Sequence, residues 1–205
     1  MAFLVFEGID GSGKSTLIKG LQKELSERQI SFVTTREPGG TALGDEIRQM
    51  LLRCKGETPA PRTELLLYAA GRAQHVDFVI GPALEKKQWV LCDRFDASSV
   101  AFQSGGRGLD RAEIDWLNNF ATKKIRPDLY VLLDITVEES EKRRAHREAD
   151  RFEREAHDFH ERVRKTYLAM AESDSKHWLK LDAAQSAPVV LNNLLSELKS
   201  RKWLS

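Results

Sequence analysis

An α/β fold, with a parallel sheet covered by helices on both faces, is predicted by two features of the chain. Short apolar runs alternate with helix-period stretches from one end to the other, and a glycine-rich phosphate-binding pattern joins the first apolar run to the first helical stretch. The candidate strands are Phe3–Phe6, Ser31–Thr35, Trp89–Cys92, Leu129–Leu133 and Trp178–Leu181. Between and after them, helical stretches are expected at about 15–28, 43–53, 63–80, 110–122, 137–147, 155–171 and 187–200. In the first of these Leu17, Leu21 and Leu25 recur every fourth residue. No internal repeat, low-complexity linker or composition break divides the chain, so residues 1–205 are expected to form a single domain. In sheets of this kind ligands sit beyond the C-terminal ends of the strands, so the loops that follow the strands are the ones to read for chemistry.

The loop after the first strand runs Gly8-Ile9-Asp10-Gly11-Ser12-Gly13-Lys14-Ser15 and fits G-x-x-x-x-G-K-[ST]. Its glycines let successive backbone N–H groups converge on one phosphate. Lys14 can reach β and γ oxygens, the Ser15 hydroxyl can ligate Mg²⁺, and the helix that follows adds the positive end of its dipole. These residues, with Thr16, are the expected contacts to a nucleoside triphosphate.

The composition excludes several other classes. A net charge of +1 leaves no broad electrostatic footprint for nucleic acid or an anionic membrane. No apolar run approaches about 18 residues, and the N-terminus lacks a signal-like segment, so a cytoplasmic location is expected. Cys54 and Cys92 are far apart and lack metal-ligand spacing, which argues against a disulfide framework or a zinc site; Cys92 reads as a small core residue.

Four further segments occupy informative positions. Arg36-Glu37-Pro38-Gly39-Gly40-Thr41 follows the second strand and, alone, reads first as a Pro-Gly turn. Asp93-Arg94-Phe95 follows the third: the acid can hold Mg²⁺ through water and the guanidinium can clamp a phosphate, or the two form a surface ion pair. Gln103, whose amide can read a base edge, precedes a glycine-rich stretch read as a flexible loop, Ser104–Gly108. Tyr68 and Arg72 stand i,i+4 on a predicted helix, facing either a cavity or the core.

Taken in order over nearly the whole chain, these segments resemble the thymidylate kinase family. The phosphate loop opens as Phe-Glu-Gly-Ile-Asp-Gly, Arg-Glu-Pro-Gly-Gly-Thr is intact at 36–41, and Asp93-Arg94 is followed by Ser99, Gln103 and Gly106-Arg107-Gly108 at the family's spacing. Arg126-Pro127-Asp128-Leu129 resembles the family's entry into its fourth strand. The resemblance implies a three-layer P-loop NTPase fold, with a five-stranded parallel sheet, flanking helices and a helical lid at about 142–155. It also implies a homodimer that transfers the γ-phosphoryl of ATP to deoxythymidine monophosphate (dTMP) with Mg²⁺. Lys14 and a metal held by Ser15 and Asp93 would neutralise the triphosphate, while Arg94, with Arg48, would clamp the acceptor phosphate. Tyr68 would stack on the base, Arg72 donate to its O4, Gln103 pair with its imide edge, Ser99 line the base pocket, and Asp10 and Glu37 bound the sugar and acceptor phosphate. The family usually carries phenylalanine at the Tyr68 position. No side-chain base is required, because a phosphate oxygen is already a nucleophile at neutral pH.

The stretch 138–165 is dense in charges of both signs, which reads as solvated helices with i,i+4 pairs and, by resemblance, as the lid. Some relatives carry arginine directly after the loop Asp; here Gly11 follows Asp10, so a lid arginine is expected to supply that charge. Arg147 is the first choice and Arg151 the second, with Arg143 expected to pack on the adenine. His157 and His160 are expected as surface side chains rather than metal ligands. Two alternatives to this activity are another P-loop nucleoside or nucleotide kinase, and a nucleotide switch without an acceptor cavity.

Overall fold

All five residues of the first strand, β1 (Phe3–Glu7), are buried, as expected of a central strand in a sheet covered on both faces. In the computed structural model, which describes residues 1–53, 56–146 and 149–204, the chain then runs through α1 (Lys14–Glu27), β2 (Phe32–Arg36), α2 (Ala42–Leu52) and α3 (Pro61–His75). A π-helical stretch, Val76–Ile80, continues α3 into α4 (Gly81–Glu85). After β3 (Trp89–Asp93), α5 (Asp96–Ser99) passes into a second π-helical stretch, Val100–Gly106, followed by α6 (Arg111–Ala121) and β4 (Leu129–Asp134). Next come α7 (Val137–Arg144), α8 (His157–Ser173), β5 (Trp178–Asp182) and α9 (Ala187–Ser200).

The sheet is parallel throughout, in the order β2-β3-β1-β4-β5. Connections leave β1 in one direction toward β2 and β3 and then cross to β4 and β5 on its other side, so the order reverses between β3 and β1. The register pairs Phe6 with Asp93 and Arg36 with Asp93, which aligns the ends of these three strands in one row. Ligand-binding crevices form at such a reversal.

Alternate residues of the central strands feed two cores. Leu4, Phe6 and Leu91 face a large cluster with Leu17, Leu21 and Leu25 of α1, Val163 and Tyr167 of α8, and Leu194 and Leu198 of α9. Phe3, Val5, Val90 and Cys92 face a smaller one closed by Val76, Ile80, Ala83 and Phe95. Cys92 is a free thiol buried there, as expected; Cys54 lies outside the described residues.

The five expected strands are all present, each matched within a residue at its ends. Two helical departures have local causes. Pro82 has no N–H to donate, and the helix widens to π geometry just before it rather than ending. Ser104–Gly106, expected in a loop, remain π-helical because Gly105 and Gly106 pack directly against Thr166 and Phe159 of α8. Among the described residues, no helix is long and apolar enough to cross a membrane.

Leu21 is fully buried between α1 and the sheet. Leu21→Ala is expected to lower the free energy of unfolding by about 2–5 kcal/mol, measured by urea denaturation, through lost transfer energy plus the cavity it leaves.

Candidate active site

The phosphate loop is shaped by residues that only glycine can serve. Gly8 has φ 134°, and a Cβ there would run into the Leu133 carbonyl; Gly13, the N-cap of α1, has φ 96°. The Lys14 ammonium is turned into the loop, donating to the carbonyls of Gly8 at 3.1 Å and Ile9 at 3.3 Å. Burial and the Arg94 charge both draw its pKa below the usual lysine value. A cavity of about 480 Å³ over the loop is lined by Lys14, Ser15, Thr16, Asp93, Arg94, Arg48, Arg143 and Arg144, among others. Asp93 Oδ1 is buried without a hydrogen-bond partner among the described residues, in the same cavity as Ser15. An orphaned carboxylate oxygen beside a hydroxyl fits the oxygen donor set that Mg²⁺ takes.

Arg94 stands at the junction of two cavities. It has φ 68°, in the left-handed region, and is held there by its N–H donating to Phe6 O at 3.0 Å and by the Cys92 thiol donating to its carbonyl at 3.0 Å. Its Nη2 donates to Asp10 Oδ1 at 2.9 Å. Burial alone would raise the Asp10 pKa, but the Arg94 and Lys14 charges hold it well below the usual carboxylate range.

The second cavity is lined by Asp10, Glu37, Arg48, Tyr68, Arg72, Arg94, Ser99 and Gln103, so every acceptor-side residue expected from the sequence lies on it. Arg72, 1% exposed, is the most constrained of them. Its Nε donates to Glu37 Oε2 at 2.8 Å, Nη1 to Ser99 Oγ at 3.0 Å and Asn118 Oδ1 at 2.7 Å, and Nη2 to the Phe95 carbonyl at 2.9 Å. A guanidinium has five N–H groups, and these bonds account for four; the fifth is on Nη2. Glu37, expected beside the sugar and phosphate, instead directs its oxygens to Arg72 and to His75 Nδ1 at 2.9 Å, while His75 Nε2 meets Thr35 Oγ1 at 2.6 Å. Gln103 Nε2 donates to Glu64 Oε1 at 2.9 Å, which fixes the orientation of the amide because a carboxylate only accepts. The open space here is only about 60 Å³, well below the several hundred Å³ typical of ligand pockets, because Phe152 packs against Tyr68 and Phe102 within it.

The lid arginines fall in different places from those expected. Arg151 is buried away from the phosphate loop, donating to Leu51 O and to Glu64 Oε2, both at 2.7 Å. The cause is Glu64, a fully buried carboxylate that draws in Arg107 as well. Arg147 lies outside the described residues. Arg144, passed over in the sequence, lines the phosphate cavity, its Nε donating to the Ser140 carbonyl and hydroxyl at 3.3 and 3.2 Å. Ser140 in turn donates to Asp10 O at 2.6 Å, and a Cβ on Gly11 would sit 3.2 Å from Arg144 Cγ. The end of α7 thus rests on the loop where other sequences place an arginine. Arg143 borders a separate cavity of about 250 Å³ with Ser12, Thr16, Leu133, Ala183 and Gln185, and its Nη2 donates to Ala183 O at 3.0 Å. His157 is exposed and pairs with Glu141 at 3.1 Å, and its ring, Glu138 and Glu161 present ligand-type atoms within 4.8 Å of one another. His160, expected at the surface, is instead buried against Phe159.

Glu7, Ser98, Asn118, Phe152 and Tyr167 were not singled out from the sequence. Glu7 alone left a signal, as the one charge in an otherwise apolar strand. Removing the shared carboxylate of the Gln103–Arg107–Arg151 cluster leaves buried charge uncompensated. Glu64→Ala is therefore expected to cost about 3–5 kcal/mol of stability, read by chemical denaturation.

With this geometry in hand, relatives of known name are informative. The family model described as thymidylate kinase matches residues 6–194. The thymidylate kinase of Bdellovibrio bacteriovorus is 55% identical over 210 residues, covering 100% of this chain and 98% of that protein. That of Pelobacter propionicus is 42% identical, covering 96% and 93%. The crystal structure of thymidylate kinase from Ehrlichia chaffeensis superposes with a TM-score of 0.79 at 31% identity, over 97% of this chain and 98% of that one. The chain belongs to the thymidylate kinase family.

Proposed function

We propose that this protein transfers the γ-phosphoryl group of ATP to the phosphate of dTMP, giving the diphosphate and ADP, within one unit whose lid spans about 142–155. The observation that carries this reading is Arg94, held on Asp10 between a phosphate-loop cavity and a buried cavity built around Arg72, Tyr68 and Gln103. A nucleotide switch has no use for the second cavity.

Two anionic phosphates must be brought together, so positioning and charge neutralisation supply most of the catalysis. Lys14 and the loop N–H groups hold the triphosphate. Ser15 and Asp93 would hold Mg²⁺, which would supply charge neutralisation at the triphosphate. Arg94 and Arg48 hold the acceptor phosphate. One of its oxygens attacks the γ-phosphorus, the bond to the β-bridging oxygen breaks, and ADP leaves. Arg144 takes the place of Arg151 as the lid arginine, since it lines the cavity over the phosphate loop whereas Arg151 is committed to Glu64. Arg143 borders the adenine end.

Base choice rests on donor and acceptor count. The fifth N–H of Arg72 meets thymine O4, and the carbonyl end of the Gln103 amide accepts the imide N–H. Cytosine presents a donor where Arg72 donates and an acceptor at the ring nitrogen, so both contacts fail. Tyr68 supplies the stacking face, Ser99 holds Arg72, and Glu37 contributes through Arg72 rather than by touching the sugar.

The homodimer is carried by an apolar face. Trp116 and Phe120 of α6, 68% and 71% exposed, stack at 5.9 Å. Leu66 and Phe78 are exposed on the adjoining α3 and its continuation, tied to the end of α6 by a Lys123–Asp77 ion pair of 2.7 Å. A patch of this kind marks an interface. The cytoplasm is the expected site of action.

ADP release assayed with dTMP, dUMP, dCMP and dGMP should be strongest with dTMP and near background with dCMP; equal rates with dCMP would refute the base readout. Arg144→Ala should lower kcat at least about a hundredfold with little change in stability. A loss below about tenfold would remove Arg144 from the mechanism. Trp116→Glu should shift the species seen by analytical ultracentrifugation from dimer to monomer.

A further inference from the structure

Glu7 ends a strand whose other residues are apolar, and it is fully buried. Three donors converge on it: the Phe95 N–H on Oε1 at 3.0 Å, and the Ser98 and Tyr167 hydroxyls on Oε2, both at 2.7 Å. Burial raises its pKa, an effect the nearby Arg94 charge opposes.

Proton counting gives this cluster a direction. Each hydroxyl has one proton, and when both are committed to Glu7 the two oxygens can only accept. The group that donates to both is Arg94 Nη1, 3.2 Å from Tyr167 Oη and 3.4 Å from Ser98 Oγ. The two hydroxyl oxygens are 2.8 Å apart, but a bond between them would deprive the buried carboxylate of a donor. The Arg94 guanidinium thus has two seats, Asp10 on the phosphate loop and the Ser98–Tyr167 hydroxyl pair, and lies over Phe102 at 5.0 Å. Tyr167 comes from α8, the helix that follows the lid, whereas Glu7 adjoins the first glycine of the phosphate loop.

We propose that Tyr167, anchored on Glu7, is a positioning residue for the acceptor clamp, registering Arg94 against both the phosphate loop and the helix that carries the lid. The proposal rests on the reading of Arg94 as the acceptor-phosphate clamp. On this view the Tyr167 hydroxyl touches no substrate; it sets the angle at which the guanidinium is presented.

Tyr167→Phe keeps the ring against Phe102 and removes only the hydroxyl. Calorimetry with dTMP in the absence of ATP should show at least about tenfold weaker binding, with the KM for ATP close to that of the parent and the Tm lowered by no more than the few degrees that one lost donor to a buried carboxylate costs. Ser98→Ala, which removes the other hydroxyl of the same seat, should give the same split. In an Arg94→Lys background, which lacks the paired Nη groups, Tyr167→Phe should change dTMP affinity less than about twofold further. Parental dTMP affinity in Tyr167→Phe, alongside clear weakening in Arg94→Lys, overturns the positioning role and leaves the clamp intact. Parental affinity in Arg94→Lys overturns the clamp reading itself. Equal losses for ATP and dTMP, or a fall in Tm with unchanged dTMP affinity, would mark Tyr167 as merely structural and overturn the proposal.

Discussion

The pairing of β1 with β3 is the constraint on which the site depends. It sets Phe6 beside Asp93, and the ladder continues one residue further with the Arg94 N–H on the Phe6 carbonyl. That last bond holds Arg94 in a backbone conformation that non-glycine residues rarely adopt. The phosphate loop and the guanidinium that faces it therefore leave adjacent strand ends. Their separation is fixed by the sheet rather than by loop flexibility, which suits a reaction that needs two phosphates held in line.

Around this frame, three buried glutamates orient arginines by different routes. Glu37 holds Arg72 directly, Glu64 holds Arg107 and Arg151, and Glu7 reaches Arg94 through two hydroxyls. Buried ion pairs contribute little net stability after desolvation, but each confines a long side chain to one geometry. Arg72 illustrates the result: with most of its donors taken by protein, what it can offer a ligand is narrowly defined.

How much was legible in the sequence follows the distance over which each residue finds its partners. The strands, the phosphate loop, Asp93 and Arg94 are set by local pattern, whereas the residues that line the second cavity were named by family resemblance. Arg151 was misplaced because its partner Glu64 is 87 residues away. Tyr167 left no signal, since it meets Glu7 across 160 residues. The bonds of Glu37 to Arg72 and His75 were not legible, because they depend on how α3 packs behind β2. Arg144 was hidden in a run of like charges; only the resting of α7 on Gly11 distinguishes it.

The Phe152 ring inside the nucleoside cavity bears on where affinity for the base originates. Phe152 lies tilted against Tyr68, so on the proposed reading a base that stacks on Tyr68 would exchange one ring contact for another rather than simply add one. On that reading, what would favour the nucleotide is the polar edge met by Arg72 and Gln103, which Phe152 cannot satisfy. Recognition in this pocket would then be a competition between two rings decided by hydrogen bonds, in which a ligand gains little from a larger aromatic surface unless it also answers those two side chains.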